Sequence, residues 1–576
     1  MKKITYGKVL PILLAAFCLV GCGNEKETIE TKTDVIDEVE GIGQPESPTK
    51  EPAQDEADAN AEIIPSDFTY PEWDEEDLNT DFSSEDVQIV EEEGVITITG
   101  EGVVAEKGNV TITQAGTYVL SGNFQGQILV EAGKEDLVHL VLKGADISCE
   151  NSAAIFGSQS EKIVITLADG TKNSVSDGEV YEYAEEGEDE PDAAIFSKDN
   201  LVINGKGFLT VAGNYGDGIC SKDDLWIVSG EFDITAKGDA VKGKDSLWIA
   251  YGQFVVNAGD AAFKASNEED ADKGWTLIEG GSYEVTAVGD AFHAETYMII
   301  EDGTVDVKAC EEGIEGLKVE IYDGDISVVS TDDGINAANG NLEEDLEKES
   351  AKIAIYGGKI FVDAEGDGMD SNGVLYIYGG EITVEGPTGN DNAAIDYETT
   401  ALIKEGILLA TGSAGMAIGF SQQNEQGWIL YNLPEKMMAG ETIIILNEKG
   451  ETLFTASPNK EYQSIVLSTP EFENGETYTL VCGDVEAEFT LENNTYSNGR
   501  GFGPGGGGFG PGGEGKMPGG EMMPGGEFAP GEFPEGMTPP EGMEMPGGME
   551  PPEGMPEMPE GMEPPEGMPQ MPPEEQ

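Results

Sequence analysis

Short runs of alternating apolar and polar residues fill the middle of the chain, and each run begins at a glycine. The glycines that open equivalent runs are 22, 29, 22, 21, 34 and 22 residues apart, at Gly230, Gly252, Gly281, Gly303, Gly324, Gly358 and Gly380. Apolar residues at alternate positions predict strands with one buried face. A repeat of such strands indicates a solenoid, whose coils bury their apolar faces only by stacking on one another.

Each repeat also contains an acidic turn before a second short strand, as in Gly216-Asp217-Gly218 and Gly366-Asp367-Gly368. The unit is too short for a pair of helices, and no helix-period run competes with the strands. The pattern therefore predicts an all-β fold, a right-handed parallel β-helix over residues 86–420, with rungs about 4.8 Å apart.

The repeat pattern ends before residues 421–495. Their strands are separated by turns such as Asn-Glu-Lys-Gly and Glu-Asn-Gly-Glu, which is typical of antiparallel pairing. We expect a small antiparallel β module that packs on the last coil, because an open solenoid end exposes an unpaired sheet edge.

The two ends of the chain have different compositions. Residues 1–22 combine Lys2 and Lys3 with an apolar run that ends at Cys22, which predicts a lipoprotein signal peptide with Cys22 as the acylated residue. Residues 23–85 are acidic and poor in large apolar side chains, so they predict a disordered linker. Residues 496–576 predict a disordered tail rich in Gly, Pro, Met and Glu. These features place the protein, lipid-anchored, on the extracellular face of a bacterial cell membrane.

The net charge of −84, from 114 acidic and 30 basic residues, excludes nucleic acid as a natural partner, because phosphates would be repelled. Cations are the expected counterpart. Two histidines and no Cys-x-x-Cys pair argue against zinc. We expect a monomer.

Stacking aligns the acidic turn residues in a column. Carboxylates one rung apart repel by roughly 3 to 4 kcal/mol at an effective dielectric constant of 20, unless a cation bridges them. Ca²⁺ accepts six to eight oxygen ligands, so it is the predicted cofactor. An Asp after Gly is also ordinary turn chemistry, and that interpretation stays open. The candidate metal ligands are Asp217, Asp239, Asp260, Asp290, Glu312, Glu315, Asp333, Asp367 and Asp370.

A second column is aromatic. Trp226 and Trp248 each lie four residues before their repeat's glycine, Trp275 has the same parity on the next coil, and Tyr376 has the equivalent place further on. The parity predicts that these rings point outward, where they would form a flat row for the apolar faces of sugar rings. The alternative is a structural aromatic ladder that covers the sheet.

The ordered motifs resemble the bacterial carbohydrate-binding domain-containing β-helix lipoproteins over residues 95–481. The matching runs are Asp192–Gly205, Asn214–Asp224, Glu311–Gly316, Asp332–Ala337, Gly366–Gly373 and Ala394–Tyr397. The resemblance implies a parallel β-helix, similar in fold to family 9 pectate lyases, that binds calcium and a plant cell-wall polysaccharide such as cellulose or polygalacturonate. Ala261 departs from the acidic column, so a metal at that coil would need Asp260 or the insertion 268–270.

Three functions follow from these patterns. The leading hypothesis is a non-catalytic, calcium-stabilised polysaccharide binder on the cell surface. The second is a calcium-dependent pectate lyase, in which Lys242 or Lys264 removes the proton α to the uronate carboxylate. The third is a structural scaffold of the envelope or spore surface. The chain has a single arginine, Arg500, and this scarcity of cations to hold an anionic sugar favours binding over turnover.

Overall fold

The computed structural model describes residues 66–183, 187, 189–338, 351–421 and 424–499, and these contain strands and no helix. Most strands are parallel, and their order in the sheets is consistent with a β-helix or solenoid. The predicted all-β class and parallel pairing are therefore confirmed, while the β-helix itself and its right-handed winding stay predictions. The predicted signal peptide, Cys22 and tail beyond residue 499 lie outside the described residues.

The first sheet begins with an antiparallel pair, Val103–Glu106 and Asn109–Ile112, and then continues with one short parallel strand from each coil. Its 13 strands are Val103–Glu106, Asn109–Ile112, Ile128–Glu131, Ile155–Gln159, Ala193–Ser197, Asp217–Ser221, Val241–Gly243, Phe263–Ala265, Phe292–Ala294, Ile314–Gly316, Ile335–Ala337, Met369–Ser371 and Asp396–Tyr397. The register aligns Ile219, Val241, Phe263 and Phe292 on successive rungs, as the repeat predicts.

The second row of strands follows the first sheet within each coil. It comprises Lys162–Leu167, Asn200–Gly205, Asp224–Ile227, Ser246–Ile249, Trp275–Ile278, Tyr297–Ile300, Lys318–Ile321, Lys352–Ile355, Val374–Ile377 and Thr400–Ile403. The third row comprises Lys172–Ser176, Phe208–Gly213, Glu231–Ala236, Gln253–Ala258, Ser282–Ala287, Thr304–Cys310, Asp325–Ser330, Lys359–Ala364, Glu381–Glu385 and Ile407–Gly412. The long strand Leu137–Ser148 pairs with both rows, and a second long strand, Gly116–Gln125, pairs with Leu137–Ser148 along its length.

Inward side chains of the three strand sets form one continuous core. In the third row, the rings of Phe232, Phe254 and Tyr283 stack with centroids 4.7 and 5.1 Å apart. Phe263 and Phe292 of the first sheet stack at 5.0 Å and meet the third-row rings edge to face. These rings repeat at the rung spacing because parallel in-register pairing places equivalent residues directly above one another.

Both solenoid ends are closed by further strands. At the start, Val87–Glu92 and Val95–Thr99 form an antiparallel pair that joins Gly116–Gln125. At the end, Tyr462–Ser468 pairs antiparallel with the last coil and with Trp428–Met437, while Thr495–Ser497 adds a parallel strand. A separate four-stranded antiparallel sheet contains Ile443–Asn447, Thr452–Ala456, Thr477–Cys482 and Val485–Thr490.

The prediction of a disordered linker up to residue 85 is wrong for its last part. Residues 66–82, which we call the N-terminal strap, lie along the outer face of the second row. The Asn204 side chain donates to the carbonyl of Asp77 at 2.8 Å, and Phe82 packs beside Val119 and Val141. Aromatic residues spaced through this acidic segment provide the apolar contacts that order it.

No helix long and apolar enough to cross a membrane occurs among the described residues.

Candidate functional site

The acidic turn residues lie along the first sheet, where several of the carboxylates bridge two rungs. Oδ1 of Asp217 accepts a hydrogen bond from the backbone amide of Asp239 at 2.8 Å, and Oδ1 of Asp239 accepts one from Ala261 at 3.1 Å. Further along, Oδ1 of Asp333 accepts from the amide of Asp367 at 2.6 Å. The side chains therefore bond the backbone of the next coil rather than of their own turn, and Oδ2 remains for another partner.

A lysine occupies the column in the earlier coils. Nζ of Lys242 lies 2.6 Å from Oδ2 of Asp239 and 3.5 Å from Oδ2 of Asp217. Burial alone would lower the pKa of Lys242, but the two carboxylates outweigh it and raise that pKa above its ordinary value. Burial also raises the pKa of Asp217 to about 7, so Asp239 is the principal ion-pair partner. Lys242 is thus an internal cation.

His293 has the same role on a later rung. Its Nδ1 lies 3.0 Å from Oδ2 of Asp290 and 2.6 Å from Oε2 of Glu315, and its Nε2 lies 3.2 Å from Oε1 of Glu295. Burial lowers the pKa of the imidazole, yet hydrogen bonds to these carboxylates raise it well above the usual value. The imidazolium neutralises this part of the column.

Asp333, Asp367 and Asp370 form a carboxylate cluster, and no lysine, arginine or histidine in the described part of the chain pairs with it. Each offers an oxygen, and the three oxygens lie within 4.8 Å of one another. Burial, together with the neighbouring carboxylates, raises the pKa of Asp370 to about 7 and that of Asp367 to about 6. This cluster has the charge that a cation would neutralise.

Asn336 adds an unsatisfied oxygen beside this cluster. It aligns with Glu315 on one side and Asp370 on the other, and its side chain is only 7% exposed. Its Nδ2 donates to Oε2 of Glu312 at 2.8 Å, but its buried Oδ1 has no hydrogen-bond partner. A buried acceptor without a partner is costly. An all-oxygen donor set of carboxylates and an amide oxygen suits Ca²⁺ better than a transition metal.

Two candidates stand apart from these groups. Asp260 is exposed and forms no ion pair within the described ranges. Lys264 lies in register between Lys242 and His293, opposite the break in the acidic column at Ala261, and it too forms no ion pair there. Among the described residues, Asp260 is in none of the groups of three ligand atoms that lie close enough to share one cation.

The outward aromatic column exists, but its register differs from the expectation at one residue. Trp226 pairs with Trp248 on adjacent rungs, and Tyr376 occupies the same column further on. Trp275 aligns with Ser246 instead, one outward position earlier in the strand. It has the predicted parity and stands in the neighbouring column.

The expectation that these rings are exposed is wrong for Trp248. Its side chain is 2% exposed, because Trp73 of the strap stacks on it with ring centroids 3.7 Å apart and an interplanar angle of 24°. Phe68 covers Trp275 edge to face at 5.4 Å. Strap rings therefore occupy the faces that were predicted to receive sugars.

Trp226 is the column residue that remains half-exposed beside an open space. It lines a cleft of about 440 Å³ between the strap and the first coils of the second row, which we call the strap cleft. The lining residues are Asp74, Glu76, Leu137, Glu161, Lys162, Asn200, Val202, Asp224 and Trp226. An aromatic wall with polar groups around it is a common design for a ligand site.

The later coils also contain a tyrosine ladder that was not predicted from the sequence. Tyr322, Tyr356 and Tyr378 stack with centroids 4.6 and 5.0 Å apart and interplanar angles of 8° and 16°. Their common position two residues before the repeat glycines Gly324, Gly358 and Gly380 was the available signal. Because the rings stack on one another, they present edges rather than faces outward, so they are not a platform for sugar stacking.

The sequence profile of the carbohydrate-binding domain-containing proteins matches residues 106–314 and 296–414, which together exceed half of the chain. The chain belongs to this family. The matched residues include the acidic column of the first sheet and the aromatic columns of the second row. The family named from the sequence motifs is therefore confirmed.

Two relatives of this family member were found. A carbohydrate-binding domain-containing protein from Acetivibrio thermocellus is 42% identical over 120 residues, which cover 21% of this chain and 42% of the relative. The solved structure of a polysaccharide lyase-like protein from C. thermocellum, a gadolinium derivative, is 30% identical and has a TM-score of 0.37. That match covers 50% of this chain and 96% of the other chain.

Proposed function

We propose that this carbohydrate-binding protein holds an acidic plant cell-wall polysaccharide of the polygalacturonate type through Ca²⁺, without catalysis. The proposal rests mainly on the cluster of Asp333, Asp367 and Asp370, whose charge no basic residue in the described part of the chain neutralises. The Oδ1 atom of Asn336 beside this cluster has no hydrogen-bond partner. Calcium bound there would be held by side-chain oxygens on neighbouring rungs. Its remaining ligand positions could then take a sugar carboxylate, since Ca²⁺ accepts six to eight oxygens.

The division of the column supports this placement. Lys242 and His293 already neutralise Asp239, Asp290 and their neighbours, so a metal would compete there with a fixed internal cation. The later coils offer carboxylates without such a cation in the described part of the chain. We therefore assign calcium to Glu312, Asp333, Asp367 and Asp370, and withdraw Asp260 from the candidate ligands.

The state of the lysines favours binding over lyase chemistry. A base that removes the proton α to a uronate carboxylate must be neutral at the working pH. Lys242 is held as an ammonium between two carboxylates, which raise its pKa. Lys264 is half-exposed, but in the register of the first sheet it lies three rungs before the coil of Asp333, the first coil of the carboxylate cluster.

The aromatic residues support glycan binding less strongly than the sequence suggested. Trp248 and Trp275 are covered by strap side chains, so stacking of a neutral glucan such as cellulose on them would require the strap to leave. Trp226, in the strap cleft, keeps an accessible ring. We further propose that Cys22 anchors the protein by a lipid on the outer surface of the cell membrane, as the N-terminal sequence predicts.

The test is a binding measurement on immobilised polygalacturonate, cellulose and other glycans, with calcium and with a chelator. Unsaturated uronide absorbance is followed in the same samples. We expect binding to polygalacturonate only in calcium, and no absorbance increase. Equal binding in chelator would contradict calcium bridging, and product formation that Lys242→Ala or Lys264→Ala abolishes would establish the lyase alternative instead.

A further inference from the structure

A second candidate binding surface, separate from the acidic column, borders the half-exposed ring of Trp226. The strap cleft is walled by Asp74 and Glu76 of the strap, and its floor is the outer face of the second row. In register along that floor lie Leu137, Lys162, Asn200 and Asp224. The space of about 440 Å³ can hold a sugar residue or two, whereas an extended protein segment would need a longer groove.

Trp226 is held rigidly in this cleft. Its Nε1 donates to Oγ of Ser246 at 2.9 Å, and that hydroxyl donates to Oδ1 of Asp224 at 2.6 Å. Trp73 meets the ring edge to face at 5.6 Å, with an interplanar angle of 83°. The relay therefore orients both the indole and the carboxylate, and preorganised groups of this kind lose little entropy when a ligand binds.

The charge of the cleft is strongly negative. Asp74, Glu76, Glu161 and Asp224 supply four carboxylates, and Lys162 is the single basic residue among the lining residues. The ammonium of Lys162 is already committed to the strap, 2.7 Å from Asp77 and 3.2 Å from Asp74. An anionic uronate would therefore be repelled here, and a ligand with a positive charge would be attracted.

We propose that the strap cleft binds a saccharide that carries a free ammonium group, such as a 2-amino-2-deoxyhexose unit of a deacetylated glycan. Its ring stacks against Trp226, and its ammonium group pairs with Asp224 and Glu161. The ammonium of Lys162 already lies 5.9 Å from the centroid of the Trp226 ring, so the carboxylates rather than the indole supply the attraction for the sugar's ammonium group. The inference rests on the proposed saccharide binding and names a second sugar class, at a site that needs no calcium.

The experiment compares three oligosaccharides of equal length that differ at C2. These are the fully deacetylated chitosan oligomer, with an ammonium group, the chitin oligomer, with an acetamide, and the cellulose oligomer, with a hydroxyl. Each is titrated calorimetrically into the full chain in chelator at mildly acidic pH. We expect the ammonium sugar to bind at least about tenfold more tightly than the other two, since a charged hydrogen bond is at stake.

Variants locate the site. Asp224→Asn keeps the hydrogen-bonding shape and removes a charge, and Glu161→Gln removes a charge from an exposed side chain. Each should weaken chitosan binding by about tenfold. Asp233→Asn, an exposed strand carboxylate of the third row, should leave it unchanged. Equal losses in all three variants, or a linear polyamine that binds as tightly as the sugar, would overturn the proposal in favour of unspecific cation attraction.

The outcomes separate the two proposals. Calcium-dependent polygalacturonate binding without chitosan binding would refute the cleft assignment and leave the proposed function intact. Chitosan binding in chelator without any polygalacturonate binding would refute the proposed function and leave the cleft assignment intact. Absence of binding to every glycan would contradict both.

Discussion

Asp370→Asn tests the calcium assignment because its effect on stability should depend on whether calcium is present. The carboxylate oxygens of Asp333, Asp367 and Asp370 lie within 4.8 Å of one another, so two unit charges repel by about 3.5 kcal/mol at an effective dielectric constant of 20. Removing one charge abolishes two of the three repulsions. Without metal, the substitution should therefore stabilise the fold.

The pKa of Asp370 gives a second upper limit on the stabilisation expected from Asp370→Asn. Burial and the neighbouring carboxylates raise it to about 7 from 3.8, a shift that corresponds to about 4 kcal/mol of destabilisation above pH 7. Partial solvation and salt reduce this, so we expect a gain of about 1 to 3 kcal/mol. In a domain of this size that is a rise of roughly 1 to 3 °C in Tm.

The assay is thermal unfolding of the wild type, Asp370→Asn and the exposed control Asp233→Asn, each in chelator and in calcium. We expect Asp370→Asn to melt at a higher temperature than the wild type in chelator. It should also lose most of the rise in Tm that calcium causes in the wild type, where the stabilisation free energy is RT ln(1 + [L]/Kd). The control should behave as wild type does. A lower Tm for Asp370→Asn in chelator, or an undiminished calcium response, would refute the reasoning.

Four further predictions concern other parts of the chain. Lys242→Ala should lower the stability in chelator by up to about 3 kcal/mol, since it leaves Asp239 buried without its partner, and should enlarge the calcium-induced rise in Tm. Because the folded-state pKa of Asp367 is raised to about 6, above its unfolded value, Tm in chelator should fall as pH rises from about 4 to 7, and calcium should flatten this slope. Cys22→Ser should move the protein from the membrane fraction into the medium, and an unchanged membrane fraction would contradict the lipid anchor. Deletion of residues 500–576 should leave the melting curve unchanged; a shifted curve would mean that the tail contributes packing.

The last prediction corrects a boundary. Truncation from residue 496, where the composition predicts the start of the tail, would remove part of Thr495–Ser497, and this strand pairs with Trp428, Ile429 and Leu430. Main-chain pairing in a strand three residues long is invisible to composition. The cut therefore belongs after Gly499, the last residue that the structure describes.

The local pattern was enough to determine the solenoid and its columns. Alternation of apolar and polar residues decides which side chains point inward, and a repeat of near-constant length places equivalent residues on successive rungs. The alignments of Ile219 with Val241 and of Trp226 with Trp248 follow directly. The acidic column could be predicted for the same reason.

Only the tertiary structure decided what each column faces. Trp248 points outward as its parity requires, yet it is buried, because Trp73 comes from a segment 175 positions earlier and packs across the rungs. Likewise, the carboxylates have equivalent sequence positions, but Asp239 meets Lys242 and Asp370 meets other carboxylates. Periodicity reports the direction of a side chain. Its partner depends on long-range packing and on the residues of the neighbouring coil, which the pattern of a single repeat does not contain.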